Sequence, residues 1–469
     1  MSLVSTDRAS AGRAERKVKP TESNAEDSAL LRAWRVRHEH LRRADPELCA
    51  LVERELQREA TTLKMIPSES FAPFAVLETS GSILTNKYCE GYPGARYYEG
   101  NEVMDEIENL AIERAKALFG AEHANVQPYS GSPANQAVYR ALGQPGNKIM
   151  GMPVPLGGHL THGWGVSFSG TDYVQVPYGP RVETGVLDYD QIREIARKTR
   201  PRMIWVGGTS YPRVFEYDKF AEIAAEVEAY LVADIAHING LILAGVHPDP
   251  VPCCDVVTST IHKMLRGPRA GLILSKIEDR YHEKYHADSK FNLAQRIDRM
   301  VFPTLQGGPH MHTIAAMAVT FKLAATEEFR EYGRQIVRNC KRLAEGLLSR
   351  GFELVSGGTD NHLLVLDLRN SQYSGKRVAK ALAQAGIVCN FNMVPGDRRK
   401  PFVTSGVRMG TPALTVMGMK EPEMDRIAAW IDEVYRSLDN KFEETARRIR
   451  AEVAELCSQF PIPGITAEE

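Results

Sequence analysis

The sequence predicts an α/β protein with a mainly parallel sheet in a large domain, followed by a smaller α+β domain. Three observations carry that prediction. Short apolar, β-branched runs alternate with amphipathic helical stretches between about residues 105 and 275. Several of these runs empty into small-residue loops, as at Ser130-Gly131-Ser132, Gly157-Gly158-His159 and Gly207-Gly208-Thr209. From Glu327 onward the texture changes to long charged helices with a few strands among them. The 469 residues allow two or three domains at roughly 150 residues each. The predicted organisation is an N-terminal tail and helical arm over 1–62, a large domain over 63–327 and a small domain over 328–469.

Composition excludes several classes. The chain is 43% hydrophobic and 25% charged with a net charge of −1, which offers no basic surface for nucleic acid or anionic lipid. No apolar run approaches the roughly 20 residues of a membrane helix. The seven cysteines are scattered and form no CxxC, so a reducing, cytoplasmic setting without structural zinc is expected. Residues 1–25 are polar and carry almost no large apolar group, so no fixed structure is expected there. Asp7 and Glu15 argue against a targeting leader.

Taken in order, Leu30, Leu31, Trp34, Val36, Leu48, Leu51, Val52 and Leu56 follow helical spacing, the pattern of an arm that packs on a partner subunit. Ser68 and Glu69 sit in a loop. Thr85–Gly100 holds four tyrosines, three glycines, a proline and two acids, which suits a ligand wall or an interface rather than core. A helix is predicted over Asp105–Phe119, stopped by Gly120. A strand over Ala124–Gln127 then leads to a helix over Ala134–Leu142, with Ser132 as N-cap and Pro133 at the first position. Strand, Ser-Gly-Ser and helix make a phosphate cup, although serine before proline also caps ordinary helices. In Gly157–Gly163 the pair His159 and His162 would suit a metal only with a third ligand, and none is evident at a useful spacing. The glycines instead let backbone approach a flat ligand, with His159 as the residue to stack on it.

Strand Met203–Val206, a helix over Phe220–Glu228 and strand Tyr230–Asp234 follow, with His237 three residues beyond Asp234. The run Val256–Gly271 holds Lys263 between a β-branched stretch and a Gly/Pro-rich turn. Alone, Lys263 reads equally as a surface lysine and Asp234 as a helix cap. Together, an amine and an acid just past two buried strands suit pyridoxal phosphate. The amine forms a Schiff base with its aldehyde, and the acid keeps the ring nitrogen protonated. A strand over Leu272–Ser275 follows, then a Gly-Gly loop in Phe302–His312 and a helix over Thr313–Ala325. The small domain is predicted as a helix over Glu331–Ser349, strands Leu354–Ser356 and Leu363–Leu368, a helix over Gly375–Ala385, a strand over Ile387–Asn390 and two charged helices. Within it, Arg408 stands alone on an apolar, Gly-rich stretch, where a guanidinium would hold a carboxylate bidentately.

Six motifs then coincide: NKYCEGYPGARYY, ANVQPYSGSPAN, GGHLTHG, VADIAH, HKMLRGPR and TSGVRMGTP. In this order, across roughly residues 60–460, the chain resembles the serine hydroxymethyltransferase family. The resemblance implies the aminotransferase-like fold type I of pyridoxal phosphate enzymes with a seven-stranded sheet, a homodimer or tetramer, and active sites shared between subunits. It implies that Lys263 carries the cofactor and Asp234 pairs with its ring nitrogen. His159 would stack on the ring, Ser130, Gly131, Ser132 and His262 would surround the phosphate, and Ser210 and His237 would lie near the ring hydroxyl. Tyr88 and Gly308 would come from the neighbouring subunit, with Tyr98 beside the cofactor linkage. Arg408 and Ser68 would bind the amino-acid carboxylate. Glu90 would transfer a proton, and Tyr97, Val154, Gly158, Asn392 and Phe402 would join it around tetrahydrofolate. The implied reaction interconverts serine and glycine with tetrahydrofolate as the one-carbon acceptor.

The chain departs from the family pattern at Ser70, Asn239, Ile261 and Met264, and its Gly208–Arg213 loop is one residue shorter than in many members. Ile261 and Met264 lie beside the cofactor lysine, where a change can reshape the phosphate end; their effect is left open by the sequence. The alternatives are a folate-independent β-hydroxy-amino-acid aldolase or transaldolase, or an α-methylserine enzyme. A binding protein on a decayed scaffold conflicts with intact Lys263, Asp234 and Arg408, and a metal enzyme would rest on His159 and His162.

Overall fold

The computed structural model describes Trp34 and residues 38–465. The chain divides within helix α1 (Pro46–Ala60) into units of residues 1–53 and 54–469. Leu48, Leu51 and Val52 are exposed on α1 and Leu56 is buried; Leu30, Leu31 and Val36 lie outside the described residues.

In the second unit, β1 (Leu63–Lys64) precedes a hairpin of β2 (Gly91–Tyr92) and β3 (Ala95–Arg96). Helix α2 (Glu102–Phe119) ends where predicted, at Gly120, whose φ of 65° needs no Cβ. Then come β4 (His123–Asn125), α3 (Gly131–Leu142), β5 (Lys148–Gly151) and β6 (Val174–Pro177). Next are α4 (Tyr189–Thr199), β7 (Met203–Val206), α5 (Tyr217–Val227), β8 (Tyr230–Asp234), β9 (Val256–Thr260) and β10 (Gly271–Ser275). Two helices, α6 (Met311–Ala324) and α7 (Glu327–Leu348), lead to the C-terminal part. That part holds β11 (Leu363–Asp367), α8 (Gly375–Gln384), β12 (Ile387–Val388), β13 (Asn390–Asn392), β14 (Gly406–Gly410), α9 (Glu421–Arg436) and α10 (Phe442–Cys457).

The large sheet has seven strands in the order β4-β10-β9-β8-β7-β5-β6. Its central strands β7, β8 and β9 are buried along nearly their whole length, as their continuous apolar runs require of a sheet covered on both faces. Neighbours are parallel except around β10, which runs against both β4 and β9. The reversal follows from a short connection: Ile261–Ala270 folds back on itself, with the Ile261 N–H donating to Ala270 O at 3.2 Å. A parallel return would need a longer crossover. Lys263 rides in that turn, and the other loops of interest leave the carboxyl ends of β4, β5, β7 and β8. In open α/β sheets this is the edge where ligands bind.

The C-terminal part has its own antiparallel sheet, β11-β14-β13, and its own core, in which Leu343, Leu382, Ile427 and Ile449 are fully buried. Leu63, Met65 and Phe71 belong to this second core, because β1 pairs in parallel with β12, Leu63 opposite Ile387. These three residues therefore pack with the C-terminal core, whereas the sequence reading groups 63–327 together. The predicted strand Leu354–Ser356 is instead a bridge at Leu354 and a turn, since Ser356 and Gly357 have φ of 59° and 70°. The predicted N-cap Ser132 is also displaced. Ser130 caps α3 in extended backbone, and Pro133 sits in the first turn, where no intrahelical N–H is required.

Candidate active site

A cavity of about 230 Å³ opens at the carboxyl edge of the large sheet. Asp234, the last residue of β8, and Lys263, just past β9, share it because these strands are neighbours, with Asp234 opposite Thr258. The Asp234 carboxylate accepts from Asn135 Nδ2 at 2.9 Å, His162 Nε2 at 3.1 Å and the Ala236 N–H at 3.1 Å. Burial alone would raise its pKa. The hydrogen bond and polarity of His162, with His159 and the hydrogen bond of Asn135, outweigh burial and hold the carboxyl far below the usual range. The Lys263 amine lies 3.2 Å from Thr260 Oγ1. Burial lowers its pKa to about 8; Asp234 opposes the shift, and Arg408 and Arg269 add to it.

His162 is a cavity residue to which the sequence reading gave no role. Its Nδ1 accepts from the His159 N–H at 3.2 Å, so its proton sits on Nε2 and points at Asp234. His159, His162 and Asp234 bring three ligand atoms within 4.8 Å of one another. Both His162 nitrogens are engaged in this way, so hydrogen bonds join the trio. The HxxH spacing that suggested a metal serves to place His162 beneath His159. His159 Nδ1 in turn accepts from the Thr161 N–H at 3.2 Å, and burial lowers its pKa to about 4, leaving a neutral ring on the cavity wall.

At the other end of the cavity stand Ser130, Gly131 and Ser132 at the start of α3, with Arg269 and His262. Ser130 makes no capping bond with its side chain, so the helix start has no internal partner there. His262 Nδ1 is buried without a partner, and burial, Lys263 and Arg269 push its pKa down to about 3. An unpaired helix terminus beside a guanidinium is an anion site. These groups fit pyridoxal phosphate: an amine for the aldehyde, an ionised carboxylate for the ring nitrogen, a flat imidazole for the ring and a cationic cup for the phosphate.

Arg408, on β14, donates from Nη1 to Thr209 O at 2.5 Å and from Nε to Asn390 Oδ1 at 3.0 Å. Burial lowers its pKa to about 10, with Glu69 opposing. Gly410 N–H donates to Met65 O at 2.8 Å, which sets the loop carrying Ser68 beside the same strand. Ser210 does not line the cavity; Gly208 and Thr209 do, and Ser210 Oγ accepts from Asn392 Nδ2 at 3.1 Å. Thr260, Arg269 and Thr209 are cavity residues that the sequence reading did not single out.

Glu90, Tyr88, Tyr98 and Gly308 stand apart from this cavity and with each other. Tyr88 donates to Glu90 Oε1 at 3.1 Å and meets Tyr98 edge-on at 5.4 Å between ring centres. A Cβ on Gly308 would lie 2.8 Å from the Tyr88 ring. Tyr88 and Tyr98 are about half exposed, while Tyr97 and Phe402 are exposed by 72% and 79%. Val154 is half-buried, and Gly158 admits no side chain because a Cβ would strike Met152 O at 1.5 Å.

Comparison with known proteins decides the family. The family model described as serine hydroxymethyltransferase matches residues 41–431. Serine hydroxymethyltransferase 2 of Mesorhizobium japonicum is 65% identical over 416 residues, covering 89% of this chain and 95% of that protein. The serine hydroxymethyltransferases of Acidothermus cellulolyticus and Sorangium cellulosum are 53% and 54% identical, each covering at least 90% of this chain and 96% of the relative. The chain belongs to the serine hydroxymethyltransferase family. It is therefore a pyridoxal phosphate-dependent transferase of fold type I.

The departures from the family pattern at Ile261 and Met264 fall in the core beside Lys263. Both side chains are fully buried in the large-domain core and neither lines the cavity. A Cβ on Gly267 would come within 2.3 Å of Ile261 Cγ2, which shows how closely the turn wraps it. Asn239 is buried beneath β9, donating to Ser259 Oγ and Thr260 O, both at 2.9 Å. Ser70 lies 3.5 Å from the Tyr332 hydroxyl.

Proposed function

We propose that the chain interconverts serine and glycine, passing the hydroxymethyl carbon to tetrahydrofolate, with pyridoxal phosphate bound covalently at Lys263. The observation that carries this is the cavity in which an amine of lowered pKa and a triply hydrogen-bonded, ionised Asp234 share one space. When bound, pyridoxal phosphate supplies an electron-withdrawing ring that takes up the electron pair released at the amino-acid α-carbon.

The chain's own residues do the rest. Asp234 holds a proton at the ring nitrogen, and His162 and Asn135 keep Asp234 ionised. His159 lies against the ring, while Ser130, Gly131, Ser132 and His262 hold the phosphate with Arg269. Arg408 and Ser68 grip the amino-acid carboxylate, which orients the bond to be broken. Glu90 carries the proton of the substrate hydroxyl, and Tyr97, Val154, Gly158, Asn392 and Phe402 border the folate. Tyr88, Glu90, Tyr98 and Gly308 form a cluster outside their own chain's cavity, which supports delivery of that cluster to a second copy's site. Solubility in the cytoplasm is part of the proposal; no helix among the described residues is long and apolar enough to cross a membrane.

Two measurements test it. Borohydride reduction of the yellow protein should fix the cofactor's mass on the peptide containing Lys263, and Lys263→Ala should abolish that label. Serine cleavage should accelerate on adding tetrahydrofolate. Equal rates with and without it would remove the folate assignment and leave an aldolase.

A further inference from the structure

His362 precedes β11 in the small domain and is fully buried. Its carbonyl accepts from the Thr411 N–H at 3.1 Å, just past β14, the strand that carries Arg408. Its Nε2 lies 3.3 Å from Nδ1 of His237, a buried residue that lines the cavity from the large domain. His237 thus has Nδ1 turned to His362 and Nε2 left for the cavity.

Both rings are neutral. Burial, reinforced by the positive charges of Lys263 and Arg408, lowers His237 well below the ordinary range and His362 to about 3. A neutral imidazole has one N–H, so one of the two facing nitrogens donates and the other accepts. If His237 donated, His362 would have to carry its proton on Nδ1. That atom is buried and has no partner. A buried N–H without an acceptor is rarer in proteins than an unfilled lone pair, and its desolvation goes uncompensated. The opposite arrangement leaves only a lone pair unused.

We propose that His362 is a positioning residue: its Nε2–H donates to Nδ1 of His237 and so keeps the His237 proton on Nε2, aimed into the cavity. His237 then meets a bound ligand as a hydrogen-bond donor, suited to a ring oxygen that carries negative charge. The value of this donor rests on the assignment of the cavity to pyridoxal phosphate.

The test uses the full chain labelled with ¹⁵N-histidine, without cofactor, and identifies the His237 signals by their loss in His237→Asn. The expected result is a proton on Nε2 of His237; a proton on Nδ1 overturns the proposal. In His362→Phe the preference for Nε2 should disappear, and pyridoxal phosphate should bind about tenfold more weakly, the loss of one hydrogen bond. His362→Gln, which keeps an N–H near the same place, should restore most of that affinity. In a His237→Asn background the Phe substitution should cost nothing further. An equal loss in both backgrounds makes His362 a core residue only and overturns the proposal. If the Phe variant does not fold, the wild-type spectrum and the Gln variant still decide. Wild-type protein that takes up no pyridoxal phosphate defeats the cavity assignment instead, while the imidazole spectrum still judges His362.

Discussion

Two residues set the electrostatics of the cavity, and each has a measurable consequence. Asp234 is ionised throughout the physiological range because three donors stabilise its charge more than burial opposes it. Asp234→Asn keeps the shape and removes the charge, so kcat should fall on the order of a hundredfold or more, as when a buried electrostatic stabiliser is lost. A loss of less than tenfold would show that the ring nitrogen does not depend on it. Lys263 behaves oppositely. Its folded pKa is about 8 against an ordinary 10.5, so between these values the unfolded chain binds more protons. Cofactor-free protein should therefore gain stability from Lys263 as pH rises through that window, and lose the gain in Lys263→Met. Cofactor uptake should quicken with pH and level off above about 8, where the amine is neutral and nucleophilic. Stopped-flow absorbance at a series of pH values checks the second, and urea unfolding the first.

Elements position these residues through close backbone contacts that tolerate little change. Gly271 opens β10, where a Cβ would lie 2.5 Å from Ser130 O, at the N-cap of α3. Gly271→Ala must displace that carbonyl, so the phosphate cup should open and stability fall by about 1–3 kcal/mol. Calorimetry and phosphate-ester affinity should move together; a stability loss with unchanged affinity would separate the strand from the cup. The β2–β3 hairpin depends on Arg96, which bonds Asp105, Glu108, Cys89 O and Gly91 O. Glu108 is 1% exposed, and burial raises its pKa against the pull of Arg96. Arg96→Met leaves this acid without its cation and should destabilise the chain by about 3–5 kcal/mol. Hydrogen exchange should then quicken first at the Tyr97 N–H, which donates to Glu90 O at 3.0 Å.

Much of this was legible before any coordinates, and the exceptions have physical causes. Lys263, Asp234 and the Ser-Gly-Ser cup could be found because each follows a strand and sits among turn residues, a signal local in sequence. His362 had no such signal, since its partner is 125 positions away. His162 received no role from its spacing, because HxxH alone cannot show which ring nitrogen is already engaged. Sequence does not tell Ser210 from Thr209, since neighbours in one loop differ only in which side chain turns to the cavity. The packing of Leu63 with the C-terminal core gave no local signal, because pairing of β1 with β12 joins segments more than 300 residues apart, which no periodicity reports.

At the scale of the whole molecule, one chain holds two clusters of proposed site residues, only one of which lines the cavity. Lys263 and Asp234 line the cavity, while Glu90, Tyr88 and Tyr98 do not; Tyr88 is bonded to Glu90 and meets Tyr98 edge-on, and both tyrosines are exposed. If two copies related by a twofold axis exchange these clusters, each cavity takes its lysine from one chain and its glutamate from the other. Lys263→Ala and Glu90→Gln should then each be inactive alone and complement each other when mixed. Random reassortment makes half of the dimers mixed, and each mixed dimer has one intact site beside one doubly defective site. Activity should recover to about a quarter of wild type after subunit exchange, given a symmetric dimer. The two variants would be refolded together, and separately as controls, and assayed at equal protein concentration. If exchange is demonstrated by mass spectrometry and no activity returns, every chain builds its site alone. The loop of Tyr88, Glu90 and Tyr98 must in that case fold over its own cavity.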